Sequence, residues 1–193
     1  QYSQEDICKI LPDNFSDDHI LSMGRLIGYF EGDGHISTQI HCAANNETTL
    51  NLVEKDINKF ISLNAKTKQN GKNTKGLCKS FKSKPLKLIL EYFGATLGNK
   101  SKAVRQVPKW CANKLFFKGY MQGFYDSDGK SFKLLKDNVT VRPILLAQNI
   151  YDTSQMSLME EIKHYLKLHF DIDVKTFIRE EKTSGSFNGS TLK

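Results

Sequence analysis

A nine-residue pattern occurs twice in the chain, and it constrains the fold more than any other feature of the sequence. Residues 26–34 read LIGYFEGDG and residues 121–129 read MQGFYDSDG, so that every matched position is offset by 95 residues. Because this offset is about half of the 193 residues, we expect two halves of similar build. We predict an N-terminal half over residues 1–97, a basic connecting segment over residues 98–112 and a C-terminal half over residues 113–193.

Both copies of the repeat are predicted to lie at the C-terminal end of a helix. Asp17 and Asp18 are suitable caps for a helix over residues 19–32, and Asn113 is a suitable cap for a helix over residues 114–127. Each helix runs into the acidic residue and glycine of the repeat, where glycine favours termination.

Hydrophobic periodicity predicts a similar order of elements after each copy. Two amphipathic helices are expected over residues 48–63 and 153–170, and the first half gains another helix over residues 83–93. The predicted strands span residues 35–44, 65–69, 76–82, 131–135, 139–149, 173–179 and 186–192. We therefore expect a mixed α/β (α+β) fold, in which each half has an αββαββ-type arrangement with an antiparallel sheet.

Small residues recur at helical spacing within the repeat. Gly28 and Gly32 lie four residues apart on one helix face, and Gly123 and Ser127 occupy the matched positions. Because glycine inside a helix costs roughly 1 kcal/mol relative to alanine, its repeated use requires compensation. Close packing of the two helices would provide it and would bring their C-terminal ends together.

That packing would bring Asp33 close to Asp128. Two carboxylates at helix C-termini repel each other, and the helix dipole is also negative at that end. A bound cation would relieve both effects, and a site made only of oxygen ligands selects Mg²⁺, Mn²⁺ or Ca²⁺. The alternative is that each Asp–Gly pair is only a helix-stop turn, which the matched recurrence of glycines and acids disfavours.

Positive charge is concentrated in the middle of the chain, whose formal net charge is +7. Residues 64–118 hold 14 of the 28 lysine and arginine residues and a single acidic residue, Glu91. A solubilising surface usually mixes both signs, whereas this segment is typical of a protein that binds a polyanion. Beside a carboxylate-bound divalent metal ion, it favours phosphodiester chemistry on nucleic acid.

The sequence has no features of a membrane or secreted protein. No apolar run approaches the roughly 18 residues of a membrane span, and the first residues lack a signal-peptide pattern. The four cysteines, Cys8, Cys42, Cys78 and Cys111, include no closely spaced zinc-binding pair, and we expect reduced, mostly buried thiols. We therefore predict a soluble intracellular protein of the cytoplasm or an organelle matrix.

The two nine-residue segments resemble the motif of the LAGLIDADG homing endonucleases, in the form that carries both copies in one chain. Each segment keeps a glycine at the third place, acidic residues at the sixth and eighth places, and the closing glycine. The offset of 95 residues and the Lys109–Trp110 pair after a proline also agree with this family, over nearly the whole chain. The resemblance implies a monomer with motif helices at the interface and two sheets that form a saddle over the DNA major groove.

The resemblance also implies a metal site. Asp33 and Asp128 would be catalytic and bind the metal ions, joined by the main-chain carbonyls of Gly32 and Ser127. Mg²⁺ would be the cofactor, Mn²⁺ would substitute for it, and Ca²⁺ would bind without supporting cleavage.

Two further catalytic residues follow from the same resemblance, Gln148 in the second half and Lys100 in the first. A plain phosphate contact is the alternative role for Lys100. The first-half counterpart of Gln148 is expected near residues 42–43, where the sequence has no amide, and Gln39 and Asn45 are the alternatives for this role. The first acids of the two motifs, Glu31 and Asp126, are expected to cap or pair at the helix ends.

DNA contacts are expected from strand side chains and from basic residues near them. Alternate strand residues would face the DNA, and two-stranded ribbons fit its major groove. The expected contacts are Ser37, Gln39, His41, Lys79, Lys82, Lys102, Arg105, Lys130, Lys133, Arg142 and Gln148.

The sequence thus favours a site-specific homing endonuclease that makes a double-strand break in a long duplex DNA target by metal-dependent phosphodiester hydrolysis, with an intron as the expected origin. An RNA maturase on the same fold and a transcription factor that only binds DNA are the alternatives. Loss of the metal-binding aspartates would favour either alternative, but both aspartates are intact. We expect a monomer that binds double-stranded DNA, has intron RNA as a second candidate partner, and binds no membrane.

Overall fold

The computed structural model describes residues 7, 9, 11–12, 14–71, 76–100, 105–130, 145–146 and 153–175. Five α-helices lie within this part of the chain. They are α1 (Asp17–Glu31), α2 (Glu47–Asn58), α3 (Lys84–Tyr92), α4 (Lys114–Asp128) and α5 (Thr153–Phe170), and a 3₁₀ helix (Lys109–Ala112) precedes α4.

The described strands form two antiparallel sheets. They are β1 (His35–Ile36), β2 (Ile40–Ala44), β3 (Lys68–Gln69), β4 (Leu77–Phe81), β5 (Gly129–Lys130) and β6 (Leu145–Leu146). The first sheet has the strand order β1-β2-β4-β3, and β5 pairs with β6 in the second. The fold is therefore mixed α/β with antiparallel sheets, as predicted.

The helices lie close to their predicted positions, and the cap of α1 differs. Ser16 caps this helix, and not Asp17 or Asp18: its hydroxyl accepts from the backbone N–H of His19, whose ring accepts from the Ser16 N–H. Asn113 caps α4 as predicted, because its side-chain oxygen accepts from the backbone N–H groups of Leu115 at 2.9 Å and Phe116 at 3.0 Å. Helix α5 has its predicted bounds, whereas α2 ends five residues earlier than predicted.

The single strand predicted over residues 35–44 is instead a hairpin of β1 and β2. Ile36 pairs with Ile40, and the Ser37 N–H donates to the Gln39 carbonyl at 2.9 Å. A straight strand would have buried Thr38 between the two isoleucines, whereas the turn leaves it exposed. Ser37 and Gln39 therefore lie in a turn and not on a strand.

The other predicted strands are shorter in the structure or lie outside the described residues. Strand β3 covers only the last two residues of the strand predicted over residues 65–69, whereas β4 covers all but the first and last residues of the strand predicted over residues 76–82. Residues 173–175 are described and form no strand. Strand β6 lies within the strand predicted over residues 139–149, most of which is outside the described part, as are residues 131–135 and 186–192.

Helices α1 and α4 pack side by side at backbone contact distance, as the glycine spacing predicted. A Cβ atom placed on Gly28 would lie 2.7 Å from the carbonyl carbon of Tyr120, and one on Gly123 would lie 2.8 Å from the carbonyl carbon of Arg25. Such distances are too short for any side chain, so each glycine is required by the approach of the facing helix. Shifting each residue number by 95 converts the first contact into the second, because Gly28 then becomes Gly123 and Tyr120 becomes Arg25. The two helices are therefore related by a local twofold axis.

A second pair of glycines extends this contact toward the N-terminal ends of the helices. A Cβ on Gly24 would lie 3.0 Å from the backbone nitrogen of Tyr120, and one on Gly119 would lie 2.9 Å from the backbone nitrogen of Arg25. At the other end, a Cβ on Gly32 would lie 2.6 Å from the Cβ of Ser127. Contacts that advance in the same direction along both helices mean that the helices are parallel, so their C-termini lie together.

The hydrophobic core joins both halves of the chain through this helix pair. Leu26 of α1, Phe117 and Phe124 of α4, and Ile162 of α5 are all buried in one cluster, which also contains Ile40 of β2. The halves therefore share a core.

Two expectations about the class of protein concern this part of the chain. Cys42, Cys78 and Cys111 are free and buried, as predicted, and Cys8 lies outside the described residues. No helix in the described ranges is long and apolar enough to cross a membrane.

Replacing Gly28 by alanine is expected to lower the free energy of unfolding by about 1–2 kcal/mol, because overpacking against fixed backbone outweighs the gain in helix propensity. Gly76→Ala is the matched control, since the atom nearest to its added Cβ is 3.6 Å away. Urea denaturation measures both effects. A Gly28→Ala midpoint at or above that of the wild type would contradict the close packing of α1 and α4.

Candidate active site

The C-terminal ends of the paired helices bring Asp33 and Asp128 together. Asp128 is the last residue of α4, and Asp33 follows α1 by two residues. A Cβ placed on Gly32, the residue before Asp33, would lie 3.3 Å from the carboxyl carbon of Asp128. The spatial relation predicted from the repeat is therefore present.

The surroundings of Asp33 disfavour its negative charge. Its pKa is raised above the ordinary value, chiefly by desolvation and next by the charge of Asp128, while Lys100 acts in the opposite direction. The side chain is nevertheless solvent-accessible, so partial desolvation and not enclosure is the cause. An accessible carboxylate pair that repels its own charge favours the binding of a cation.

Lys100 lies against the end of α1, where the resemblance predicted a catalytic lysine. Its ammonium donates to the carbonyl oxygens of Phe30 at 3.1 Å, Glu31 at 3.2 Å and Gly32. These carbonyls have no helical partner, and a cation beside them is stabilised by the helix dipole. Burial lowers the pKa of Lys100, whereas the charges of the nearby acids raise it.

Arg105 and Glu31 form a buried ion pair beside this lysine. Arg105 Nε donates to Glu31 Oε1, and Nη2 donates to the Glu31 carbonyl at 2.8 Å. Glu31 is 1% exposed and Arg105 is 7% exposed. Glu31 thus has the pairing role predicted for it, whereas Arg105, expected to contact DNA, is turned into the protein because its partner acid is buried.

The matched acid of the second motif has a different environment. Asp126 is exposed, and desolvation raises its pKa while the charge of Arg25 lowers it. The guanidinium of Arg25 is bound through two hydrogen bonds, of 2.5 and 2.7 Å, to the buried Asp56 of α2. The two motifs therefore hold their first acids in unequal ways.

The donor atoms at this end suit a hard divalent cation. Asp33 and Asp128 offer carboxylate oxygens, and the Gly32 carbonyl already accepts from the Lys100 ammonium, so a positive charge is favoured there. In the described ranges, no group of three or more His, Cys, Asp or Glu residues is placed to hold a metal ion. Mg²⁺ fits two carboxylates well, because it commonly takes its other ligands from water and phosphate.

One face of the first sheet carries polar side chains. The register places His35 opposite His41 and His41 opposite Ser80, and the His41 ring is 3.0 Å from the Ser80 hydroxyl. On the same face Lys68 is paired with Cys78. This outer face begins two residues after Asp33, next to the carboxylate pair.

Lys79 lies on the opposite face of the sheet, contrary to the expected DNA contact. It is paired with the buried Cys42, and its ammonium is bound to Glu54 of α2 at 2.6 Å and to Asn51 at 2.9 Å. Strand alternation explains the difference, since Lys79 lies on the same face of β4 as the apolar Leu77 and Phe81. It is therefore removed from the set of surface contacts.

The remaining first-half contacts are partly retained. Lys82 and Gln39 are exposed, and Ser37 is half-buried with its carbonyl accepting from Lys87 at 2.9 Å. Lys82 follows β4 directly, and both Ser37 and Gln39 lie in the turn before β2.

The second-half site is described only in part. Lys130 lies in β5, two residues after Asp128, and pairs with Leu145. Gln148, Lys102, Lys133 and Arg142 lie outside the described residues.

Sequence reasoning overlooked two kinds of residue at this site. Lys68 and Ser80 were missed on the outer face, although alternation along β4 would have placed Ser80 on the face opposite Leu77 and Phe81. The pairing of Arg105 with Glu31, 74 positions away, has no local signal in the sequence.

No protein-family model matches the chain. It is 25% identical over 183 residues to a replication factor C small subunit of Methanocaldococcus jannaschii, covering 87% of this chain and 10% of that protein. It is 25% identical over 189 residues to a tRNA-splicing ligase RtcB of Pyrococcus abyssi, covering 90% and 20%. A tRNA-splicing ligase RtcB of Pyrococcus furiosus is 24% identical over 175 residues, covering 81% and 17%. The chain therefore spans a tenth to a fifth of the length of these relatives.

Asp33→Asn is expected to stabilise the metal-free protein at neutral pH. Because the folded-state pKa of Asp33 is raised, the folded protein favours the neutral carboxyl, and stability is lost as the pH rises through that pKa. The melting temperature of the variant should exceed that of the wild type at about pH 7, and the difference should shrink toward about pH 4.

Thermal unfolding in a chelating buffer measures this difference. Glu91→Gln, which removes an exposed negative charge from α3, is the control. A variant less stable than the wild type at neutral pH would contradict the unfavourable environment assigned to Asp33.

Proposed function

We propose that the protein is a metal-dependent endodeoxyribonuclease that makes a double-strand break in a long, specific DNA duplex. The observation that carries this proposal is the meeting of Asp33 and Asp128 at the parallel ends of two glycine-packed helices. Such a paired carboxylate site, related by a local twofold axis, suits a substrate that is itself twofold symmetric in its backbone. The two strands of a DNA duplex have this symmetry.

The residues at the helix ends have distinct roles in this proposal. Asp33 and Asp128 hold Mg²⁺, with the Gly32 and Ser127 carbonyls as further candidate ligands. A bound Mg²⁺ supplies an activated water and stabilises charge at the attacked phosphate. Lys100 adds a positive charge beside the first aspartate, where it offsets the negative charge of the scissile phosphate.

The outer face of the first sheet is the proposed duplex contact of the first half. It is next to the carboxylate pair and carries His35, His41, Ser80 and Lys68. Histidine and serine are suited to base edges, and lysine to phosphates. Strand β5 starts directly after Asp128 and would begin the matching contact in the second half.

The relatives suggest that this segment is a module whose role does not depend on the longer protein that contains it. A segment of similar sequence occurs in a replication factor and in RNA ligases, so it is tied to neither of those activities. In each relative the segment is a small part of a longer polypeptide, which favours a reading frame embedded in a host protein over the intron origin expected from the sequence. We propose that the segment acts as a monomer, because one chain contains both motif helices.

Cleavage of the uninterrupted host gene tests the proposal. The protein is incubated with Mg²⁺ and a plasmid that carries the gene without the insertion, and the ends are sequenced. One defined double-strand break is expected. An intact plasmid together with stimulated splicing of a parent intron RNA would favour the maturase alternative, and tight duplex binding with no cleavage would favour a transcription factor.

Asp33→Asn and Asp128→Asn are each expected to reduce the cleavage rate by at least about 1,000-fold, because removal of a metal-binding carboxylate abolishes the metal-assisted step. Gel-shift affinity for the duplex should stay within about tenfold of the wild type. Asp171→Asn, which changes an exposed aspartate beyond α5, is the control and should cut normally. Retained cleavage in both site variants would refute the assignment.

Duplex affinity is expected to fall steeply with salt, because each phosphate contact releases counterions. Lys68→Ala and Lys82→Ala should each lower the slope of log affinity against log salt by about one unit. Lys167→Ala, on the exposed side of α5, is the matched control. A slope that neither Lys68→Ala nor Lys82→Ala changes would exclude the outer face as a phosphate contact.

A further inference from the structure

The segment that joins the two halves supplies cations to the end of α1. Lys100 and Arg105 both come from this segment, and together they bind the carbonyl oxygens of Phe30, Glu31 and Gly32. The last carbonyls of a helix have no partner within the helix, and α1 has no basic residue in its own last turn. The connecting segment therefore completes the end of the helix from outside.

Arg105 makes the more directional of these contacts. Its guanidinium donates two hydrogen bonds to Glu31, from Nε to the carboxylate and from Nη2 to the main-chain carbonyl. A planar guanidinium fixes orientation in a way that an ammonium does not. Thr96 donates to the second carboxylate oxygen of Glu31 at 3.4 Å, so the side chain is held from two sides.

These hydrogen bonds to Glu31 matter because the next residue is Gly32. Gly32 leaves the helix with φ −85° and ψ −94°, and it has no side chain to fix its direction. Asp33 follows at once, so a fixed Glu31 restricts the positions open to the Gly32 carbonyl and to Asp33.

We infer that Arg105 is a positioning residue for the first metal-binding aspartate. Acting through Glu31, it fixes the end of α1 so that Asp33 and the Gly32 carbonyl face Asp128. The connecting segment thus has a role in the chemistry of the site and is more than a tether. This inference rests on the proposed metal-dependent function.

The matched acid of the second motif has no comparable burial. Asp126 is exposed, whereas Glu31 is enclosed by its pair with Arg105. Among the described residues, the positioning contact is therefore made at the end of α1, and its loss should affect the affinity for a divalent ion through Asp33.

The test replaces the whole ion pair, because removing one partner would leave a buried charge and could unfold the protein. A double variant, Glu31→Met with Arg105→Met, replaces the pair by unbranched apolar side chains. The matched control is Arg25→Met with Asp56→Met, an arginine–carboxylate pair that joins α1 to α2 and whose arginine lies six residues before Glu31 on α1. Mn²⁺ affinity of the full chain is measured from the free-ion electron paramagnetic resonance signal, and circular dichroism reports the fold.

The Glu31/Arg105 double variant is expected to bind Mn²⁺ about tenfold more weakly or worse, with a circular dichroism spectrum like that of the wild type. The control should bind within about twofold of the wild type. Arg105→Lys keeps the buried charge balanced but loses the two hydrogen bonds of the guanidinium, and it should also weaken Mn²⁺ binding. It provides the readout if the double variant does not fold.

The outcomes separate this inference from the proposed function. Asp33→Asn should lose Mn²⁺ binding, and equal affinities of this variant and the wild type would overturn the metal site and the inference with it. Loss in Asp33→Asn but wild-type affinity in the folded Glu31/Arg105 and Arg105→Lys variants would overturn the inference alone. Equal weakening in the Arg25/Asp56 control would do the same, since the effect would then not depend on the end of α1.

Discussion

Backbone contact between α1 and α4 is the constraint on which the other features of the molecule depend. Gly24, Gly28, Gly119 and Gly123 leave no room for a side chain, so the helices approach until their main chains touch. Parallel packing at this distance gives the halves a shared core and puts both helix C-termini at one place. The carboxylate pair follows directly, because each motif has its second acid at or just after the end of its helix.

This arrangement concentrates negative charge, and the protein compensates for it unequally. Two parallel helices present the negative ends of their dipoles together, and two aspartates are added there. On the first side Lys100 and Arg105 bind the end of α1, so that part of the charge is balanced within the fold. The balance remains incomplete at Asp33, whose pKa is raised chiefly by desolvation and next by the charge of Asp128, and a bound divalent cation would offset that charge.

The basic segment of the sequence therefore serves two purposes. Some of its cations are internal: Lys79 is bound to Glu54, and Arg105 is bound to Glu31. Others, such as Lys68 and Lys82, are exposed on or beside the sheet. A count of positive residues indicated a polyanion partner, but it overestimated the surface that is free to bind one. The number of phosphate contacts depends on which lysines are not held in an ion pair with an acidic residue of the protein itself.

The sequence by itself determined the two motif helices, their glycine contact and the meeting of Asp33 with Asp128. These features repeat a local pattern at a constant offset, and glycines on one face of each helix allow the two backbones to approach closely. Only the tertiary structure decided that Ser37 and Gln39 lie in a turn, that Lys79 faces α2 and that Arg105 is buried against Glu31. The turn is local, but its position depends on the burial of Ile36 and Ile40 with Thr38 left exposed. The pairing of β2 with β4 and the ion pair of Arg105 with Glu31 join residues that are far apart in the chain, so they depend on which surfaces face each other in the folded protein.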